Sequence, residues 1–174
     1  MKHRNFVIKT TVKNLDLKNT KPERAGIIIY TTVKKVLYFG LGLDSRTHDL
    51  TDFGGRIIYK TENVIEGAIR EFKEETLGIF EDITYENIKD CPVIYDDKNL
   101  IIFVHIDINP NLICLTFNKK YNEIKSKDSY KHLEICAITW LSLKEFKLVI
   151  RKKGTLFSRL QNFLLKANNL FYLL

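Results

Sequence analysis

The chain has 174 residues, of which 45% are hydrophobic and 28% are charged, with a formal net charge of +7 at pH 7. This length and apolar content suit a single globular domain with a sizeable core, and they exclude a disordered or fibrous protein. No run reaches the roughly 18 apolar residues of a membrane span, which predicts that the chain does not enter a membrane.

The cysteines and the N-terminus together predict where in the cell the protein is located. The three cysteines are scattered, without the Cys-x-x-Cys spacing of a zinc site. The basic N-terminus lacks the apolar core and small-residue cleavage site of a secretory signal. We therefore expect reduced thiols and a cytoplasmic protein.

Strand signals dominate the first third of the chain. Residues 25–33 are apolar and rich in β-branched side chains, which predicts a buried strand, and residues 36–41 are its expected hairpin partner. Residues 42–50 are polar and predict a loop. Residues 52–55 predict a short strand that runs into a glycine turn.

An amphipathic helix is predicted next. Asn63 is a good N-cap, and Glu66 three residues later completes a capping box. Gly78 suits the C-terminal end of the helix. The apolar stripe expected to face the core consists of Ile65, Ala68, Ile69 and Phe72. The acidic side chains of the helix are expected on the opposite, exposed side.

The remaining residues predict further strands followed by helices. The predicted strands cover residues 83–88, 91–95, 100–108 and 135–141. Residues 109–132 are polar with few apolar anchors and predict a loop. Ser142 caps a short predicted helix, and a closing helix follows Gly154. This order implies a mixed sheet with helices on its faces, in one domain spanning residues 1–174.

Three carboxylates on the predicted helix carry the strongest chemical signal. Glu71, Glu74 and Glu75 share one face because helix positions i, i+3 and i+4 are neighbours. Like charges this close destabilise a bare helix, and a hard divalent cation such as Mg²⁺ would relieve the repulsion. An acidic run alone is usually a solvated face, but here Glu62, Arg70 and an apolar residue stand at fixed offsets as well. The longer pattern favours a metal site.

At these residues the chain resembles the Nudix hydrolase family. Glu62, seven residues, then Arg70-Glu71-Phe72-Lys73-Glu74-Glu75 match the box of that family position for position, within residues 55–79. Two departures lie at its edges: Gly55 is one residue further from Glu62 than the pattern asks, and Gly78 arrives one residue late. The resemblance implies an α/β/α sandwich with a mixed sheet and a catalytic loop-helix-loop.

The resemblance also implies roles for the box residues. Glu71, Glu74 and Glu75 would bind Mg²⁺ or Mn²⁺, with a backbone carbonyl near Gly55 as a further oxygen ligand. Glu71 or its neighbour would accept a proton from water, and Arg70 would orient Glu71 through a charge-assisted hydrogen bond. Glu62 would support Arg70. The implied activity is hydrolysis of a pyrophosphate bond in a nucleoside diphosphate linked to a second group.

A further acid outside the box is expected from the resemblance. Glu134 is our choice because it lies six residues before Trp140, in a segment that resembles the family's late strand, which ends in tryptophan and leads into a helix. The alternative is an ordinary surface glutamate, with even weight. Glu123 and Asp128 are rivals in the same region.

The substrate is not determined by the box. Residues 1–24 hold seven Lys and Arg against two acidic residues, and residues 142–174 hold seven against one. Basic ends of this kind suit a polyanion, so capped RNA is the first hypothesis, with mRNA decapping as the reaction. The alternatives are a small nucleotide (a nucleotide sugar, dinucleoside polyphosphate or damaged nucleotide) and, less favoured, a non-catalytic RNA- or nucleotide-binding module. No protein partner is inferred.

Overall fold

The computed structural model describes residues 7–127 and 133–167. Its strands are β1 (Ile8–Thr11), β2 (Arg24–Val33), β3 (Val36–Asp44), β4 (Leu50–Thr51), β5 (Phe53–Arg56), β6 (Pro92–Tyr95), β7 (Asn99–His105) and β8 (Ile135–Ser142). Its α-helices are α1 (Val64–Glu75), α2 (Tyr85–Ile88), α3 (Pro110–Lys125), α4 (Leu143–Arg151) and α5 (Ser158–Lys166).

A mixed sheet organises the molecule around β2. The strand order is β1-β6-β7-β2-β3-β4, and β2 pairs in parallel with β7 and antiparallel with its other neighbours. Opposite β7, the edge of β2 is divided: residues 24–27 pair with β5, and residues 29–33 pair with β3. The sheet therefore opens between β5 and β3. β8 adds to β3 on the far side of this opening.

Helices cover both faces of the sheet. Successive side chains of a strand point to opposite faces, and Ile27 and Ile28 accordingly belong to two separate cores. One core includes Phe72 of α1 and Phe117 of α3, and the other includes Phe146 of α4. The mixed sheet and the α/β/α sandwich expected from the sequence are confirmed. Within the described ranges, no helix is long and apolar enough to cross a membrane.

Three local predictions are wrong. Residues 109–132 were expected to be a loop, but α3 occupies most of them: Asn109 caps this helix, and Ile113 and Phe117 bury one narrow stripe. Residues 83–88 were expected to be a strand, but they hold the short helix α2, since Thr84 and Asn87 form a capping box. The strand β3 also continues to Asp44, into the predicted loop.

Candidate active site

Helix α1 is fixed at its start by local hydrogen bonds. Asn63 Oδ1 accepts from the backbone N–H of Ile65 at 2.9 Å and of Glu66 at 3.1 Å, and Glu66 Oε2 accepts from Asn63 N–H at 2.8 Å. The predicted capping box is confirmed. The ring of Phe72 packs edge-on against Phe53 of β5, with ring centroids 5.6 Å apart. These contacts set the acidic edge of α1 beside β5.

Arg70 is the centre of an ion-pair network on this edge. Its Nε and Nη2 each donate to the Glu62 carboxylate at 2.9 Å, while Nη1 lies 2.8 Å from Glu71 Oε1. The same Nη1 lies 3.6 Å from Glu74 Oε1, which is a longer ion pair, and 64% of the Glu74 side chain is exposed. The hydrogen bond from Arg70 lowers the pKa of Glu62. Charge-assisted fork contacts of this kind fix both distance and orientation. This contact agrees with the expectation that Arg70 orients Glu71. The catalytic role of Glu71 stays a prediction.

Glu71 lies against the backbone of Gly55. A Cβ atom built on Gly55 would overlap the Glu71 carboxylate, so this position has room for the acid only because it is glycine. Burial raises the pKa of Glu71, while the Arg70 guanidinium opposes the rise and the carboxylates of Glu74 and Glu134 add to it. A carboxylate with a raised pKa is a stronger base than usual.

Glu75 is turned inward, toward β5. The backbone N–H of Gly54 donates to Glu75 Oε2 at 2.7 Å. Burial raises the pKa of Glu75 well above its ordinary value, and the nearby charge of Asp52 raises it further. The three box carboxylates line one groove, as their spacing predicted, but the expectation that all three are exposed is wrong. Glu74 faces solvent, while Glu71 and Glu75 are shielded beside β5. A divalent cation beside these two acids would relieve the repulsion between them.

Behind Glu75 lies an ion pair that sequence analysis missed. Arg24 Nη1 lies 2.5 Å from Asp52 Oδ2, and the two side chains are 13% and 1% exposed. Burial disfavours the charge on Arg24, but the Asp52 carboxylate overcomes this, so that the pKa of Arg24 is raised. The only sequence signal was an aspartate at the start of the short strand predicted for residues 52–55.

Glu134, which is distant from the box in sequence, lies beside the box carboxylates in the structure. It directly precedes β8 and lines a groove together with Glu71, Glu74 and Glu75. Its rival Glu123 is an exposed residue of α3 and does not line this groove. Asp128, the other rival, lies outside the described residues. The structure thus brings Glu134 to the box carboxylates, and its role as a ligand or catalyst stays a prediction.

A cleft of about 750 Å³ adjoins these acids. Gly54, Gly55, Glu75 and Glu134 line one part of it. The rest of the lining includes four basic residues and two aromatic ones: Lys21, Arg24, Arg56, Arg159, Tyr59 and Phe157. Burial raises the pKa of Tyr59 to about 12, so this phenol stays neutral at pH 7. Carboxylates and cations thus line one space that is large enough for a nucleotide.

Comparisons with known proteins find likeness only in solved structures. No protein-family model matches the chain, and no curated protein sequence does. A crystal structure of C. elegans Ap4A hydrolase is 18% identical over 84% of this chain and 96% of that one, with a TM-score of 0.45. A binary complex of a C. elegans Ap4A hydrolase is 19% identical over 86% and 96%, with a TM-score of 0.47. The function of the chain must therefore be inferred from the cleft.

The donor set of the cleft fits a hard divalent cation. Among residues 7–127 and 133–167, no group of three or more His, Cys, Asp or Glu side chains is placed to hold a metal ion as a cage. Arg70 holds Glu71, and Gly54 holds Glu75. Mg²⁺ needs no such cage, because it keeps several waters and binds through one or two carboxylates. Glu71 and Glu75 suit it as shielded carboxylates. A carbonyl ligand at Gly55 stays a prediction.

Proposed function

We propose that the chain is a Nudix-type pyrophosphohydrolase, dependent on Mg²⁺ or Mn²⁺, that cleaves a nucleoside diphosphate linked to a second group. The observation that carries the proposal is the meeting of Glu71, Glu75 and Glu134 beside a cleft whose lining includes four basic residues. Basic side chains attract a polyphosphate, and carboxylates with raised pKa values suit a divalent ion and a proton acceptor.

The reaction follows from the roles of the side chains. Water supplies the oxygen for a new P–O bond while the anhydride P–O bond breaks, which leaves two phosphate products. Glu71 accepts the proton of that water, and Arg70 holds Glu71 in place with Glu62 behind it. A bound divalent ion would neutralise phosphate charge and lower the pKa of water. Glu75, held by Gly54, would be a ligand of that ion, and Glu74 and Glu134 could complete its surroundings.

The lining of the cleft favours a small nucleotide over capped RNA. The capped-RNA hypothesis relied on the basic ends of the chain. Within the described parts of residues 1–24 and 142–174, the basic residues that line the cleft are Lys21, Arg24 and Arg159. Arg24 is already paired with Asp52. Among the described residues of the two ends, Lys21 and Arg159 therefore remain to meet a substrate in the cleft, and we propose a dinucleoside polyphosphate or similar small nucleotide as the substrate class.

A substrate panel tests the proposal. The purified chain is incubated with Mg²⁺ or Mn²⁺ and, separately, with Ap4A, ADP-ribose, nucleoside triphosphates and capped RNA, and the products are separated by ion-exchange chromatography. We expect metal-dependent release of nucleoside phosphates, with the highest kcat/KM on a dinucleoside polyphosphate and none after EDTA treatment. A higher kcat/KM on capped RNA would restore the decapping hypothesis. Binding of these compounds without any turnover would instead favour a non-catalytic module.

A further inference from the structure

We propose that Arg24 and Asp52 are positioning residues, which hold the backbone of Gly54 so that its N–H fixes the carboxylate of Glu75. The inference rests on the proposed function only in that Glu75 is taken as a metal ligand. Neither residue belongs to the Nudix-like box, and 28 residues separate them in sequence. Their role follows from three features of the structure.

The first feature is the fork of the Arg24 guanidinium. Nη1 donates to Asp52 Oδ2 at 2.5 Å, and Nη2 donates to the carbonyl of Gly54 at 2.7 Å. The N–H of the same Gly54 donates to Glu75 Oε2 at 2.7 Å. A planar guanidinium holds two acceptors in one fixed plane, whereas the ammonium group of lysine donates from a single nitrogen and lacks this rigid fork. One arginine thus connects the buried aspartate to the residue that holds Glu75.

The second feature is the space reserved for the Asp52 carboxylate. Asp52 is fully buried. A Cβ atom on Gly26 would overlap Asp52 Oδ2, and one on Gly54 would lie 2.9 Å from the same oxygen. Gly26 on β2 therefore leaves the room that this carboxylate needs. Burying the charged groups of this ion pair costs free energy, because each ion must be removed from water.

The third feature is the position of the pair relative to the acids. Arg24 lies close enough to Asp52, Glu75 and Glu71 for all three carboxylates to act on its charge. Arg70 approaches Glu71 from the outer side of α1. The shielded carboxylates thus have a cation on each side, and we infer that Arg24 keeps the inner ones in place before any metal binds. Residues that hold metal ligands in this way are typically worth 10- to 100-fold in metal affinity or activity, as an order of magnitude.

The test compares Arg24→Lys and Asp52→Asn with Asp90→Asn, which breaks the exposed pair between Lys13 and Asp90. Unfolding midpoints and circular dichroism establish that each variant is folded. In the metal-free protein we expect faster hydrogen exchange at the Gly54 amide for the first two variants. By calorimetry, their Mn²⁺ dissociation constants should rise about 10- to 100-fold. Asp90→Asn should match the wild type in both measurements.

A second variant keeps the proposal testable if Asp52→Asn does not fold. Gly26→Ala changes no charge but places a methyl group where the Asp52 carboxylate lies. Gly40→Ala is its control, because it crowds Ile29 and Trp140 in the same sheet instead. Weaker Mn²⁺ binding by Gly26→Ala alone supports the proposal. Equal effects of the two alanine variants would overturn it.

The outcomes separate this inference from the proposed function. Unchanged Gly54 exchange and Mn²⁺ affinity in folded Arg24→Lys would overturn the positioning role, even if the wild type hydrolyses nucleotides. Weaker Mn²⁺ binding by the variants would support it, even if the wild type hydrolyses nothing in the panel. In an active enzyme, positioning predicts a lower kcat with KM changed less than about threefold. A large rise in KM with constant kcat would instead make Arg24 a substrate contact.

Discussion

Arg70 and Glu71 are adjacent residues that the structure joins into one unit. Arg70 binds Glu62 through two donors and Glu71 through a third. The Glu71 carboxylate thereby has a fixed direction, toward the backbone of Gly55. A base that is held in one orientation transfers protons more effectively than one that samples several.

The first prediction concerns this unit. Arg70→Ala and Glu71→Gln should each reduce kcat by about 10²-fold or more, and the double variant should lose little beyond the worse single one. The reason is that loss of Arg70 already leaves Glu71 misplaced. The same double-mutant cycle on the exposed Lys89–Glu86 pair, whose charged atoms lie 2.8 Å apart, is the control and should not change turnover. Multiplication of the two single losses would show that Arg70 and Glu71 act independently.

The second prediction concerns the stability of the metal-free protein. Because the pKa of Glu75 is raised on folding, the folded state binds this proton more tightly than the unfolded chain does. Glu75 therefore destabilises the metal-free fold increasingly as pH rises above its ordinary pKa of 4.5. Glutamine keeps a carbonyl for the Gly54 N–H and has no charge to bury.

Urea unfolding in EDTA provides the measurement. Glu75→Gln should raise the free energy of unfolding at pH 7 by about 1–3 kcal/mol, the range for relieving a poorly compensated buried polar group. The difference from wild type should shrink as the pH falls through 4.5, because well below that value the glutamate is protonated in both states. A variant that is less stable at pH 7 would contradict the raised pKa.

At the scale of elements, α1 was predictable because its signals are local. Asn63 and Glu66 form the capping box that their spacing indicated. The extra residue at the end of the box is absorbed by Leu77 and Gly78, whose φ angles of 56° and 68° are both left-handed. Helix α1 therefore ends at Glu75, directly after its acidic residues, although Gly78 comes one residue later than in the Nudix box.

The third prediction tests the start of α1. Asn63→Ala should lower the free energy of unfolding by about 1 kcal/mol, since two backbone N–H groups lose their acceptor. Asn63→Asp is the matched control and should stay within about 0.5 kcal/mol, because aspartate caps as well as asparagine. Both are measured by urea unfolding. If the alanine variant is as stable as wild type, tertiary packing rather than the cap fixes this end.

The elements that were mispredicted had weak or conflicting local signals. In α3 the buried residues Ile113 and Phe117 form a narrow stripe, while Leu112 and Leu115 are 57% and 67% exposed and obscure the helical period. In α2 a single turn of four residues is too short to show any period. Tertiary packing, rather than propensity, decides the structure of such segments.

At the scale of the whole molecule, the site combines segments that are distant in sequence. α1 supplies Glu71 and Glu75, the chain before β8 supplies Glu134, and β2 supplies Arg24. The box residues could be recognised because their spacing lies within one helix. Arg24 and Asp52 could not, because only the pairing of β2 with β5, the strand that follows Asp52, brings them together.

The fourth prediction tests this convergence with two exposed glutamates. Glu134→Gln should lower kcat by about 10- to 100-fold, the usual cost of losing a group that supports a metal site. Glu123→Gln on α3 is the control and should change kcat by less than about twofold, since it stands away from the groove. Both are assayed on the best substrate of the panel. The reverse order of effects would move the fourth acid to α3.

The most direct test of the proposed chemistry is the turnover of Glu75→Gln under saturating Mg²⁺. The variant keeps the shape of the side chain and the acceptor for Gly54, so its fold should be intact by circular dichroism. If Glu75 binds a catalytic metal, kcat should fall by about 10²- to 10⁴-fold, the scale for losing a metal ligand or general base. A folded Glu75→Gln enzyme that retains more than about half of the wild-type activity would contradict the account.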